Sequence, residues 1–288
     1  YARSGWGTTD TVMALNASAW SNLDHGSEQP PGDLRIWKGG KGLLVNDGGS
    51  FFGTPNLPTK SILTLVSDSN TNIGTISPYP PGTHRNVTRP QGYGGESFTW
   101  QRAVLTEVYT TGVTLAERQV FYAKPGGIIV HDYATLASSG AIGTYLHLGL
   151  NGAGTAAAPT YASVNRSAKT FSNNITGTAG LTGKAFALDG GTIALVTANA
   201  SDTNLGYTNS QGESGRFQVC NSSDGSTCAN GTSAEWVTVM ETNGGSGSLP
   251  TIVSPTVVGS HRIVEVQGAS PWVVAFTRAG ASASSLTF

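Results

Sequence analysis

Charge is what this 288-residue sequence has least of: Asp, Glu, Lys and Arg make up 11% of it and the formal net charge is −1, against about 25% charged residues in an ordinary globular protein. The Lys and Arg residues are scattered rather than clustered. No basic field is therefore present to hold a phosphate backbone, and nucleic acid is not an expected partner. No apolar run approaches the ~20 residues that a membrane-spanning helix needs, so no membrane span is expected. No basic stretch followed by an apolar one opens the sequence, and an opening at Tyr1 rather than Met is what a processed product shows. Helical periodicity over eleven or more residues is nearly absent. So are several catalytic signatures: a Gly-x-Ser-x-Gly elbow between strand and helix, a Gly-rich phosphate loop before a helix, and His-Glu-x-x-His.

What is present reads as β structure from end to end. Gly is abundant at 39 residues, as are Ser, Thr and Asn, a composition that points to a secreted, extracellular protein. Short β-branched and aromatic runs recur between Gly, Pro, Asn and Ser. Between Ser97 and Leu136, runs at Phe98–Tyr109, Val113–Tyr122 and Ile128–Tyr133 are separated by turn residues, which predicts a three-stranded antiparallel meander. In the middle run Val113, Leu115 and Phe121 share a face with Glu117 and Gln119, while Thr114, Ala116, Arg118, Val120 and Tyr122 share the other. Both faces are half polar, so either both are covered unevenly or one lines a cleft. Later strands are expected at 145–150, 185–188, 192–198, 216–220, 236–240, 262–267 and 272–278. Together these predict an all-β fold, a large two-sheet antiparallel β-sandwich spanning 1–288 as one domain, with room for a smaller C-terminal β subdomain from about 151.

The two cysteines, Cys220 and Cys228, flank an Asp224-Gly225 hairpin signal, which brings the sulfurs face to face and predicts a disulfide formed in an oxidising compartment. Asn-x-Ser/Thr triplets stand at Asn16, Asn86, Asn165, Asn174, Asn199, Asn221 and Asn230, the candidate glycosylation sites of a secreted glycoprotein. His131 and Asp132 are neighbours after an Ile-Ile-Val run, so they point to opposite faces and cannot act as a pair.

The most specific pattern lies in the first fifty residues: Arg3-Ser-Gly-Trp6, Asp24-His25, Gly32-Asp-Leu-Arg-Ile-Trp-Lys-Gly-Gly40 and Leu43-Leu-Val-Asn-Asp47-Gly-Gly49. With Arg118-Gln-Val-Phe-Tyr122 and Ile129-Val-His-Asp132, this series resembles the C-terminal β-sandwich domain of heparinase II/III-like polysaccharide lyases over roughly residues 1–135. That family carries a His-x-His-x-Asp loop. Its second His, the Asp of a following Asp-x-Gly and a later His bind a metal, commonly zinc. The matching stretch here runs from Asp24 to Gly32 and keeps the first His as His25, while Glu28 stands where the ligand His would be. Asp47 matches the family's Asp, and His84 lies near the later His. The resemblance thus implies one structural divalent metal, zinc or calcium, held by Glu28, Asp47 and His84, since a carboxylate serves zinc and suits calcium better. A solvated Glu28 and a turn-capping His84 are the alternative for the same residues.

Lyases of this kind cleave uronic-acid polysaccharides by β-elimination, with the main catalytic groups on an N-terminal helical toroid. No segment of this sequence reads as such a toroid. The resemblance implies an acidic polysaccharide or other glycan as partner and a separate helical chain to complete the machinery, with His25, Tyr79 and Tyr93 as candidate substrate contacts. The alternative is a non-catalytic extracellular subunit of a filament or surface layer, self-assembling through its sheet edges, or a glycan-binding module of the same fold.

Overall fold

A computed structural model describes residues 1–16, 20–21, 32–45, 61, 63–66, 84–85, 92–109, 112–149, 162–175, 179–188, 190–197, 214–244, 251–267 and 271–278. The first strands are β1 (Ala2–Arg3), β2 (Thr11–Leu15), β3 (Trp20–Ser21), β4 (Leu34–Lys38), β5 (Lys41–Leu44), β6 (Leu63–Val66) and β7 (His84–Arg85). Next come β8 (Gly92–Gly94), β9 (Phe98–Val104), β10 (Val113–Ala123), β11 (Gly127–Gly149), β12 (Ala162–Asn165), β13 (Thr170–Ile175) and β14 (Ala179–Ala187). The last are β15 (Thr192–Thr197), β16 (Ser214–Ser222), β17 (Asn230–Asn243), β18 (Thr251–Val258), β19 (His261–Gln267) and β20 (Trp272–Thr277). One 3-10 turn, Thr106–Val108, is the helical element among the described residues.

The expected two-sheet antiparallel sandwich is what the chain forms. The first layer runs β8-β9-β10-β11-β17-β14-β13-β12, and the second contains β1, β2, β4, β5, β6, β16 and β15. Strand β11 belongs to both. Residues 127–135 pair with β17, and residues 143–149 pair with β16. Between them, at Thr135/Gly140, the register with β17 shifts. The small residues Ala137-Ser-Ser-Gly140 let the strand leave one layer and enter the other. The sequence shows Ile128–Tyr133 and 145–150 as two separate runs. They are the two halves of this single strand.

The interior is built from the inward face of each layer, including Leu34, Ile36, Leu44, Ile142, Leu181, Phe217 and Trp236. Each such side chain contributes roughly 1.5–3 kcal/mol by leaving water. Polar side chains tie the layers together where backbone groups would otherwise be unpaired. Asn173 donates through Nδ2 to Leu43 O at 3.0 Å and Gly149 O at 2.8 Å. Arg118 spans Asp132, Thr144 and the carbonyls of Gly32 and Ser61, all within 3.2 Å. Gly32 sits at φ 87°, and a Cβ there would meet Leu105 Cδ1 at 2.8 Å, so glycine is required at this junction.

A third sheet, β18-β19-β20, covers the outer face of the first layer. Val264, Val266, Val274 and Phe276 pack there against Ile129, Val237 and Val239. This explains the half-polar faces of β10: Ala116, Val120 and Tyr122 belong to the sandwich interior, while Phe121 packs against the cluster under the third sheet. Strands β12–β17 interleave with the N-terminal strands in both layers, and the separate sheet begins at Thr251. Strand β9 stops at Val104, short of the expected Tyr109. The Thr106 hydroxyl accepts the Ala116 amide at 3.1 Å, so a side chain replaces the next rung of the ladder and the chain turns.

Candidate functional site

Hairpin β8–β9 and strand β10 place a row of aromatic side chains on the outer face of the first layer. The register sets Tyr93 opposite Trp100, Trp100 opposite Phe121 and Arg102 opposite Gln119. Alternation along each strand then aligns them on one face. The Tyr93 ring lies 4.8 Å from Phe98, Phe98 stacks on Phe121 at 5.3 Å, and Phe121 is 5.9 Å from Trp272 of β20. Tyr93 is 54% exposed and Phe98 38%. A Cβ on Gly95 would meet the Tyr93 ring and hydroxyl at 2.8 Å, so glycine there leaves space for the phenol to fold over the turn. The Lys124 ammonium holds that turn by donating to Gly95 O at 2.6 Å.

Facing this row, Val273, Val274, Ala275 and Thr277 of β20 form the second wall of a cleft of about 390 Å³. Its floor is polar, and its charges pair with one another. Arg102 donates through Nη2 to the buried Glu117 Oε2 at 2.7 Å, and the Gln119 amide donates both to Glu117 Oε1 and to Thr277 O, the latter at 2.7 Å. Such a cleft can hold an amphipathic ring between an aromatic and an aliphatic wall.

A second polar centre fastens the third sheet to the first layer. Glu235 on β17 is buried and receives His131 Nε2 at 2.7 Å, Arg262 Nε at 2.6 Å and Arg278 Nε at 3.0 Å. Burial alone would raise its pKa. Hydrogen bonds from His131, Arg278 and Arg262 outweigh that effect and hold the carboxyl well below the usual carboxylate range. Arg278 also lies over the Tyr133 ring at 4.5 Å, and His131 stacks on Phe276 at 5.4 Å. Asp132, next to His131, points to the opposite face and pairs with Arg118 Nε at 2.7 Å. The two neighbours serve different layers, as strand alternation requires.

Of the sequence-predicted contacts, Tyr93 forms the outer end of the aromatic row. His25 and Tyr79 lie outside the described residues, as do the metal candidates Glu28 and Asp47. The backbone of His84 pairs with Ser21, which sets it beside the start of the segment that carries His25 and Glu28. Among the described residues no group of three or more His, Cys, Asp and Glu side chains gathers as a metal site. Asn165 and Asn230 are exposed, Asn16 and Asn174 are half-buried, and Asn86 and Asn199 lie outside the described residues. The half-buried Asn221 uses its amide in the fold, accepting from Ile142 N at 2.9 Å and donating to Ala229 O. The predicted Cys220–Cys228 disulfide is formed. Sequence reasoning missed Phe98, Trp100 and Gln119 as cleft residues. The alternation Phe98-x-Trp100-x-Arg102 was a signal for one wall, but nothing local marks β20 as the other.

No family model matches the sequence, and no curated protein matches it. Solved structures do match in shape. A heparinase III, the BT4657 gene product, superposes with a TM-score of 0.64 at 12% identity, over 96% of this chain and 40% of its own. The heparan sulfate lyase HepC from Pedobacter heparinus gives a TM-score of 0.63 at 15% identity, with the same coverage of 96% and 40%. A further heparinase III structure gives 0.62 at 14% identity. The chain spans about 40% of the length of these structures. Its fold, from sandwich to third sheet, is similar to the β-sandwich part of heparinase III-type lyases.

Proposed function

We propose that this chain is the glycan-facing β-sandwich of a secreted polysaccharide lyase acting on uronic-acid polysaccharides. The observation that carries the reading is the solvent-open aromatic cleft of Tyr93, Phe98 and Phe121 on a sandwich of heparinase III shape. Aromatic rings flanked by polar groups suit a sugar, which has an apolar face and a polar rim. The disulfide supports an oxidising, extracellular setting.

β-Elimination from a uronate needs three things. The carboxylate must be neutralised so that the adjacent carbon acid can ionise, a base must take that proton, and the departing glycosidic oxygen must receive one. In this reading the β-sandwich binds and orients the polymer, and a helical segment or chain supplies the base. A divalent ion held by Glu28, Asp47 and His84 would pin together the connections that carry them, and no chemical step is assigned to it.

The test is to incubate the protein with heparan sulfate, polygalacturonate and alginate. The ultraviolet absorbance of unsaturated uronates is followed, and binding is measured in parallel by affinity electrophoresis. New absorbance supports the lyase reading. Retardation of the intact protein without product reassigns it as a glycan-binding module. Filaments or other large assemblies without glycan binding favour the structural-subunit alternative, and intact monomeric protein with neither retardation nor product removes the glycan reading altogether.

A further inference from the structure

Resting on that glycan-binding reading, we infer that the cleft between the β8–β9 hairpin and β20 accepts an uncharged pyranose unit rather than a uronate. The unit would stack face-on against Tyr93 and Phe98, and the specificity would come from charge balance. Among the described residues Arg102 is the one charged residue lining the cleft, and the buried Glu117 pairs with it at 2.7 Å. Gln119 is already committed to Glu117 and to the Thr277 carbonyl. A carboxylate or sulfate entering here would lose water and find no unmatched cation among the described lining residues, which is costly. An uncharged sugar meets no such penalty. Its C–H face can lie on the exposed rings while its hydroxyl rim stays toward solvent.

The shape agrees. The rings step at 4.8 and 5.3 Å from Tyr93 through Phe98 to Phe121, which forms a ramp with its solvent end at the most exposed ring. Around Tyr93, among the described residues, a Cβ on Gly94 would meet nothing within 4 Å and one on Gly92 would meet Trp100 O at 3.5 Å, so the described residues leave the approach open. A volume of about 390 Å³ falls in the range of small-ligand sites, about 300–1,000 Å³. The two walls come from different sheets, so the site exists only while the third sheet is docked on the sandwich. For a polymer in which uronates alternate with uncharged units, this cleft would select the uncharged unit, and selection would be physically separate from elimination.

The experiment is calorimetric titration of the intact protein with chitohexaose and cellohexaose, at low and high salt, with polygalacturonate as the charged comparator. Tyr93→Ala and Phe98→Ala are run alongside, and emission from Trp100 and Trp272 reports occupancy. The expected result is binding of at least one neutral hexasaccharide, insensitive to salt and weakened about tenfold or more in each variant. Tyr93→Ala, at an exposed position, guards against misfolding of the Phe98 variant, and unchanged thermal melting validates both. Three outcomes overturn the inference: neither neutral sugar binds, both variants bind like the parent, or only polygalacturonate binds and its affinity falls with salt. The elimination assay separates this from the broader reading. Product formation with no neutral binding removes the inference and keeps the lyase, whereas ring-dependent neutral binding without product does the reverse.

Discussion

Arg118 donates to five acceptors from the middle of the first layer: both Asp132 oxygens, Thr144 Oγ1, and the carbonyls of Gly32 and Ser61. Its planar fork can satisfy a carboxylate and still reach two backbone carbonyls, which a lysine cannot do. Replacing it by Met would leave the buried Asp132 carboxylate without its cation and remove one hydrogen bond from each of the Gly32 and Ser61 carbonyls. Arg118→Met is therefore expected to destabilise the fold by about 3–5 kcal/mol, and Arg118→Lys to recover only part of that, measured by denaturant midpoint at constant m-value. The sequence legibly placed Arg118 and Asp132 on strands, and alternation correctly separated Asp132 from His131. It could not show that Arg118 meets chain 86 residues earlier at Gly32, because no local pattern encodes a contact of that separation. The cleft residues were legible to the same degree: Tyr93 could be nominated from its loop, but its partner across the cleft could not.

At the scale of elements, the turn between β16 and β17 shows how much a local signal can carry. Asp224-Gly225 specifies the turn. Gly225 adopts φ 76°, and Asp224 Oδ1 accepts the Ser226 and Thr227 amides at 2.7 and 2.9 Å. The turn thereby brings Cys220 and Cys228 into a bond across eight positions of sequence. Closing so short a loop removes modest entropy from the unfolded chain, so Cys228→Ser is expected to lower stability by about 2–3 kcal/mol by chemical denaturation, while leaving the heparinase-like sandwich in place. Strand β11 is the opposite case. Its two halves were each visible as apolar runs, and only pairing with different neighbours on either side makes them one continuous strand. The half-polar faces of β10 left open an uneven cover on both faces or a cleft on one. Their cause, a third sheet on the outside, was not accessible from β10 itself.

For the molecule as a whole, the junction between sandwich and third sheet is where charge governs structure. Apolar contacts from Ile129, Val237 and Val239 to Val264 and Phe276 supply most of the adhesion. Glu235, held by His131, Arg262 and Arg278, fixes the orientation. The pKa of Glu235 is depressed from its ordinary value of 4.5 in the folded state, so the unfolded chain binds this proton more readily. Stability from this group is therefore fully present above about pH 4.5 and is lost as pH falls from there toward the lower folded pKa. The third sheet is expected to loosen first, because Arg262 and Arg278, which tie it to the first layer, do so through Glu235. Amide exchange in β19 and β20 should accelerate on acidification before exchange in β11 and β17 does, and Glu235→Gln should show fast exchange in β19–β20 already at neutral pH with much less dependence on acid. Since β20 forms one wall of the aromatic cleft, the same acidification should weaken sugar binding in step with exchange. Exchange that accelerates uniformly across all three sheets would show instead that the docking is inseparable from global folding.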